Sequence, residues 1–258
     1  MLSIESTTNR FDGVLPDPEA LPTHLQEFAN RLVFSLASWR REGLQVVWLE
    51  VPIAKSELIP IAVDADFTFH HSGEDYLMLT LAQQEGAFIP AHATHYIGAG
   101  GVVLTEEREQ LVVSEKQYQT PGKPPRFKLP GGALHQSEHL VDGVIREIRE
   151  ETGVETAFDA LVCFRHWHGY RYGKSDIYFI SRLHPLSREI TIQEEEIAEC
   201  RWMPVEDYLG DEHVSPFNKR IVQAALDSPG LIPVELEGYG GREQYEIFMP
   251  PDGERESS

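Results

Sequence analysis

Glu147, Glu150 and Glu151 are the residues of this chain whose types and spacing could do chemistry. They lie in the stretch 132–154, GALHQSEHLVDGVIREIREETGV, three and four residues apart. A helix through that stretch projects their carboxylates from one face. No basic residue follows at the spacing that would neutralise them: four after Glu147 is Glu151, and four after Glu150 is Val154. Like charges so placed repel by roughly 0.2–0.5 kcal/mol per pair in an isolated helix. A divalent cation removes that cost, and carboxylate oxygens suit Mg²⁺ or Mn²⁺ rather than zinc. A glutamate pair by itself reads only as a solvated helix face.

The flanking residues read as the parts that position these carboxylates. Lys128-Leu129-Pro130 is extended, and Gly131-Gly132 lets the backbone turn sharply, so that a carbonyl at Gly131 could join the carboxylates as a metal ligand. Glu138 falls near the helix start, where the macrodipole favours an anion. Leu140, Val144, Ile145 and Ile148 share the side expected to pack on a sheet, with the three glutamates away from it. Arg146 is expected to hold Glu147 in a bidentate pair, and Gly153 to end the helix.

The rest of the chain is patterned as an α/β protein. With 258 residues and a formal net charge of -20, it is long enough for two domains and too acidic for non-specific attraction to nucleic acid or anionic membranes. Only Cys163 and Cys200 are cysteines, and they form no metal-type pair, which points to a reducing compartment. The first fifteen residues lack a basic stretch followed by an apolar run, so no secretory signal is expected, and a cytoplasmic location is.

Residues 1–17 read as a lead-in anchored by Phe11 and Val14. Apolar residues at helical spacing over 18–41 predict a helix with Thr23 as its cap, followed by a strand at 45–51, a short helix at 56–64 capped by Ser56, and strands at 67–71 and 76–81. Gly86 and Pro90 mark a linker, which places the first domain at residues 1–93. The second domain is expected at 94–235, with strands at 95–104, 110–115, 127–130, 158–167, 175–183 and 200–203 and a closing helix at 215–227. Residues 236–258 read as a tail with a disordered end from Pro250 onward. Trp39, Trp48 and Trp202 read as core. His70 and His71 are adjacent in a strand and should point to opposite faces, which argues against a metal pair. Around 165–176, Arg165, His166, His168, Tyr170, Arg171, Tyr172 and Lys174 could stack a base or meet a phosphate, or simply build a hairpin; Ser175 and Asp176 could contact substrate or start the next strand.

The run Gly132-x5-Glu138-x7-Arg146-Glu147-Ile148-x-Glu150-Glu151-x-Gly153-Val154 resembles the Nudix box at every fixed position. Phe11-Asp-Gly-Val, Trp48-Leu-Glu-Val-Pro52, Phe69-His-His71, Tyr76-Leu-Met-Leu79, Ala93-Thr-His-Tyr96, Phe127-Lys-Leu-Pro-Gly-Gly132 and Gly173-Lys-Ser-Asp176 resemble the subgroup that carries a domain ahead of the Nudix fold, which includes the animal Nudix type 6 protein and plant cytosolic members. The resemblance spans roughly residues 10–230. It implies a Nudix α/β/α sandwich with a mixed sheet, preceded by a smaller α/β domain. It implies an enzyme that uses Mg²⁺ (or Mn²⁺), held by Gly131, Glu147, Glu150 and Glu151, to hydrolyse a nucleoside diphosphate derivative, ADP-ribose or NADH, in a homodimer. It implies that Glu147 or a later loop glutamate, here Glu196, takes the proton of the attacking water. An RNA-cap or nucleotide-end hydrolase and a non-catalytic nucleotide-binding and protein-interaction module are the alternatives.

Overall fold

In the computed structural model the described residues are 2–241 and 243–251. The chain divides into two compact units, Met1–Thr94 and His95–Ser258. Among the described residues, no helix is long and apolar enough to cross a membrane.

The first unit runs β1 (Ser6–Thr8), β2 (Gly13–Pro16), α1 (Leu25–Arg41), β3 (Val46–Pro52), a 3-10 turn (Ile53–Leu58), α2 (Ile59–Asp64), β4 (Thr68–Ser72) and β5 (Tyr76–Ala82). Its strands form one sheet in the order β1-β2-β3-β5-β4. Alternation in β3 buries Val47, Leu49 and Val51, which cluster with Phe28, Leu32 and Trp39 of α1. Trp48 and Glu50 consequently lie on the other face, half-buried, so Trp48 is not a core residue. The lead-in expected at 1–17 is instead two strands. Val14 is buried as an anchor, but Phe11 is 69% exposed, because Asn9 to Gly13 form a tight turn with Asp12 at φ +55. His24 rather than Thr23 occupies the N-cap of α1, and Pro60 at the start of α2 displaces the expected cap at Ser56.

The second unit runs β6 (His95–Val103), β7 (Glu109–Glu115), β8 (Gly131–Ala133), α3 (Leu140–Thr152), β9 (Thr156–Trp167), β10 (Ser175–Pro185), β11 (Ile197–Pro204), α4 (Val205–Gly210), α5 (Pro216–Asp227), β12 (Ile232–Val234) and β13 (Ile247–Met249). The main sheet has the order β8-β6-β10-β9; β6 and β10 are parallel, and the other neighbours antiparallel. β7 pairs with β11. Leu140, Val144 and Ile148 of α3 cluster with Ala99, Val103, Leu161 and Leu183, while Ile221, Val222 and Ala225 of α5 cluster with Val102, Ile180 and Met203. This is the mixed-sheet α/β/α sandwich, with the carboxylate-bearing helix on one layer. Gly101 lets that helix sit close: a Cβ there would meet Ile148 Cδ1 at 2.5 Å.

Residues 127–130 form no strand. Lys128 instead exchanges both backbone hydrogen bonds with Val113, at 2.9 and 3.0 Å, which fixes its side chain beside the end of β7. Phe217, in the first turn of α5, is 43% exposed.

The expected tail is also partly ordered. β13 pairs with β12, and just before it Glu246 accepts hydrogen bonds from the amides of Leu140 (2.5 Å) and Val141 (3.2 Å). These are orphan donors of the first turn of α3, whose N-cap residue His139 makes no side-chain cap bond. Glu246→Ala is expected to cost about 1–2 kcal/mol in chemical denaturation. Of the disordered end expected from Pro250 onward, residues 252–258 lie outside the described residues.

Candidate active site

Two sets of carboxylates meet at α3. In the first, Glu151 is 4% exposed and accepts a 2.9 Å hydrogen bond from the Gly131 amide. The left-handed φ of Gly131, +140, turns the chain there, and a Cβ would strike the Ala99 carbonyl at 2.3 Å. It is thus the Gly131 N–H that faces the carboxylate expected to share a metal with its carbonyl. Glu115, at the buried end of β7, and exposed Glu196, just before β11, complete the set: one carboxylate oxygen from each of the three lies within 4.8 Å of the others. Lys128 pairs with Glu115 and stands 3.9 Å from Glu151.

Burial pushes the Glu151 carboxyl up to about 7, against the pull of Lys128 and the Gly131 amide and helped by Glu115 and Glu147. Burial also works against the Lys128 ammonium, but Glu151, Glu115 and Glu196 together outweigh it and raise its pKa. Three hard oxygen donors facing Lys128 leave an excess of negative charge, and this donor set fits Mg²⁺ or Mn²⁺. The expectation that all three helix glutamates lie away from the packed side therefore fails for Glu151, which turns inward to the gap between Gly131 and Glu115.

The second set is organised by Arg146. Its Nε and Nη2 donate to the two oxygens of Glu138 at 2.6 and 2.8 Å; Nη1 donates to Glu147 at 2.9 Å and Glu150 at 3.0 Å; Nη2 also reaches the Ala133 carbonyl at 3.2 Å. The bidentate partner is thus Glu138, not Glu147. Glu138 comes from the turn before the helix and faces the edge of the guanidinium, whereas Glu147 is the next residue and leaves the helix in a different direction. Arg146 also precedes Glu150 by four residues, so the repulsion inferred from residues that follow the glutamates is relieved by one that comes before them. Its hydrogen bonds are the main reason the Glu138 carboxyl is held down at about 2. Gly132 leaves room for Glu147: a Cβ there would sit 2.5 Å from its Oε2. Gly132→Ala is expected to displace that carboxylate, costing at least about tenfold in turnover with little loss of stability, because only the mobile end of the Glu147 side chain must move. Gly153 ends the helix in the left-handed conformation.

A cavity of about 600 Å³ opens beside these carboxylates, lined among others by Glu115, Lys128, Gly131, Gly132 and Glu196 and by Tyr96, Arg165, Trp167, Tyr170, Arg171 and Tyr172. Asp176 and Phe217 also line it. Arg165 is held by Asp176 at 2.5 Å and lies over Trp167, 4.9 Å from the ring centre, so the two expected contact residues first bind each other. Arg171 lies 5.5 Å from the Tyr170 ring centre. Lys174 sits over the Tyr96 ring at 5.2 Å and is not among the lining residues. Nor are His168 and Ser175, which hydrogen-bond each other at 2.8 Å.

Sequence reasoning missed Glu115, Lys128 and Tyr178. Tyr178 is a half-buried lining residue of β10 whose hydroxyl is pushed to higher pKa by desolvation and by Glu151 and Glu147. The available signals were weak: a lysine in an otherwise apolar run, a glutamate at a strand end, and glycines at 98 and 100 that make way for the Tyr178 ring.

A family model described as NUDIX domain matches residues 94–225, and one described as Nudix hydrolase domain matches residues 4–82. The chain is 41% identical over 208 residues to Nudix hydrolase 8 of Arabidopsis thaliana, covering 80% of this chain and 56% of that protein. It is 37% identical over 215 residues to Nudix hydrolase 2 of the same plant, covering 83% and 77%. It is 34% identical over 202 residues to the human nucleoside diphosphate-linked moiety X motif 6, covering 77% and 63%. It thus spans less than two thirds of the length of the first and the third of these relatives.

Proposed function

The chain belongs to the Nudix hydrolase family, in the subgroup with a domain ahead of the Nudix fold, and from that premise we propose that it hydrolyses the pyrophosphate bond of a nucleoside diphosphate derivative. The favoured substrates are ADP-ribose, giving AMP and ribose 5-phosphate, and NADH, giving AMP and reduced nicotinamide mononucleotide. The observation that carries the reading is one cavity lined both by carboxylates of the cluster, buried Glu115 and exposed Glu196, and by aromatic and guanidinium groups.

Glu147, Glu150 and Glu151, with Glu115 and Glu196 beside them, are the residues that would hold Mg²⁺ or Mn²⁺. When bound, the ion supplies Lewis-acid polarisation of the phosphoryl oxygens and a lower pKa for the attacking water. Arg146 fixes the rotamers of Glu147 and Glu150, and the Gly131 amide fixes Glu151. Glu196 reaches the cluster from an exposed position, so its carboxylate can accept the proton of the water and pass it to solvent. Trp167, Tyr170 and Tyr172 offer faces for a base, and Arg171 a partner for phosphate oxygens. The proposal includes a homodimer in a reducing, cytoplasmic setting; Cys163 and Cys200 are both free thiols. Light scattering on the purified chain checks the dimer.

The test is a product analysis with ADP-ribose, NADH and capped RNA in the presence of Mg²⁺. AMP from either of the first two, with the RNA intact, is the expected result. Binding of ADP-ribose without cleavage of any of the three would replace the enzyme reading with that of a binding module, and decapping alone would replace the substrate class.

A further inference from the structure

We propose that His70, His71 and His92 form a transition-metal site in the first unit, of the kind imidazole nitrogens build for Zn²⁺. The proposal is independent of the carboxylate site and of its reading.

The origin of the site is an irregularity in β4. Opposite β5, Phe69 pairs with Leu79 and His71 with Met78, so the register shifts across His70. Such a bulge sets two residues against one and re-aims a side chain. Strict alternation would send His70 and His71 to opposite faces; the bulge brings their rings together, with the two Nδ1 atoms 2.6 Å apart. The expectation that these neighbours point to opposite faces therefore fails.

The outer nitrogens are already held. His70 Nε2 lies 2.7 Å from the Pro90 carbonyl. A carbonyl can only accept, so Nε2 carries the hydrogen, and in the neutral ring Nδ1 presents a lone pair. His71 Nε2 lies 3.2 Å from the Tyr76 hydroxyl, which can accept or donate. The Trp48 ring stands edge-on to His70, with ring centres 5.0 Å apart. An oxygen on the far nitrogen and a ring on the flank are the supports that orient metal-ligating histidines. One hydrogen between the two facing Nδ1 atoms makes an ordinary N–H···N hydrogen bond; a metal ion bound there would displace that proton to buffer. At metal–nitrogen distances of about 2.0–2.1 Å, the two rings part by less than an ångström to admit the ion.

His92 supplies the third ligand. The segment that follows β5 carries it back over β4, where its ring stacks on His71 with centres 4.5 Å apart and planes 8° from parallel, and 6.1 Å from the His70 ring centre. In that stack its nitrogens do not yet converge with the pair. The side chain is exposed, and rotation about its own bonds turns a nitrogen inward. Three imidazoles then leave a fourth position open to water.

The experiment is calorimetric titration of the full-length, tag-free chain with Zn²⁺ in excess Mg²⁺, which saturates hard carboxylate sites, with Co²⁺ absorption as a second readout. The expected result is one tightly held equivalent of Zn²⁺, visible Co²⁺ bands typical of a four-coordinate nitrogen site, at least a tenfold weaker affinity in His92→Asn, and no site in the double variant His70→Gln, His71→Gln. Because His92 is exposed, its substitution reports on the site even if the double variant fails to fold. Absence of Zn²⁺ binding under Mg²⁺, or equal affinity in wild type and His92→Asn, overturns the proposal.

Discussion

Glu151→Gln is expected to lower AMP release at least about 100-fold while making the metal-free fold more stable than wild type above pH 7. The two effects share a cause. Glu151 is buried against Glu115 and Glu196, and its carboxyl is pushed from 4.5 up to about 7. A carboxyl whose folded pKa exceeds its unfolded value stabilises the fold only while protonated. That contribution is full below about 4.5, declines as pH rises through about 7, and is absent beyond. At about 1.36 kcal/mol per pKa unit, the loss is on the order of 3 kcal/mol. Glutamine is never charged, so the variant escapes the loss, and it still offers an oxygen to the Gly131 amide. Chemical denaturation in chelator at pH 5 and pH 8 checks the sign: the stability gap between the variant and wild type should open in favour of the variant as pH rises. Excess Mg²⁺ should then stabilise wild type more than the variant.

Arg146→Ala is expected to destabilise the fold by about 3–5 kcal/mol, because it leaves the mostly buried carboxylate of Glu138 without its partner. It also frees Glu147 and Glu150, so residual turnover should fall at least about 100-fold. Arg146→Lys keeps the charge but not the planar fork that serves Glu138 with two parallel bonds, and should fall between wild type and Ala. The pH dependence has the opposite sign to that of Glu151. Glu138 has its folded pKa lowered from 4.5 to about 2, so its contribution is present above about 4.5 and lost as pH falls toward 2. Urea denaturation between pH 2 and pH 5 should show a shallower acid loss in Arg146→Ala than in wild type, and the window does not overlap that of Glu151.

What was legible in the sequence was set by local period and spacing. α3 could be read because Leu140, Val144 and Ile148 recur at helical steps and Gly153 stops the run. β3 could be read because Val47, Leu49 and Val51 alternate with polar or half-buried neighbours. The site was legible as far as its helix extended. Glu115 and Lys128 join Glu151 only through the backbone bonds of Lys128 to Val113 and the packing of the sheet on α3, and their local sequence signals that meeting only weakly. Glu246 caps α3 from 106 residues away. The direction of Arg146 depended on where Glu138 stands in the preceding turn, which spacing along a helix does not describe. The pairing of His70 with His71 depended on a bulge, and a bulge defeats the period-two rule on which strand readings rest. β1 and β2 escaped because each is only a few residues long and the turn at Asn9 separates the apolar positions.

The most direct test of the central claim, that the carboxylates at the end of α3 make this chain a metal-dependent pyrophosphohydrolase, is AMP release from ADP-ribose and NADH by the purified protein in Mg²⁺, after addition of EDTA, and after Mg²⁺ is restored. The expected result is release that stops with EDTA, returns with Mg²⁺, and is lost in Glu151→Gln. No AMP from either substrate in Mg²⁺ or Mn²⁺, or release that EDTA and Glu151→Gln leave unchanged, would contradict it.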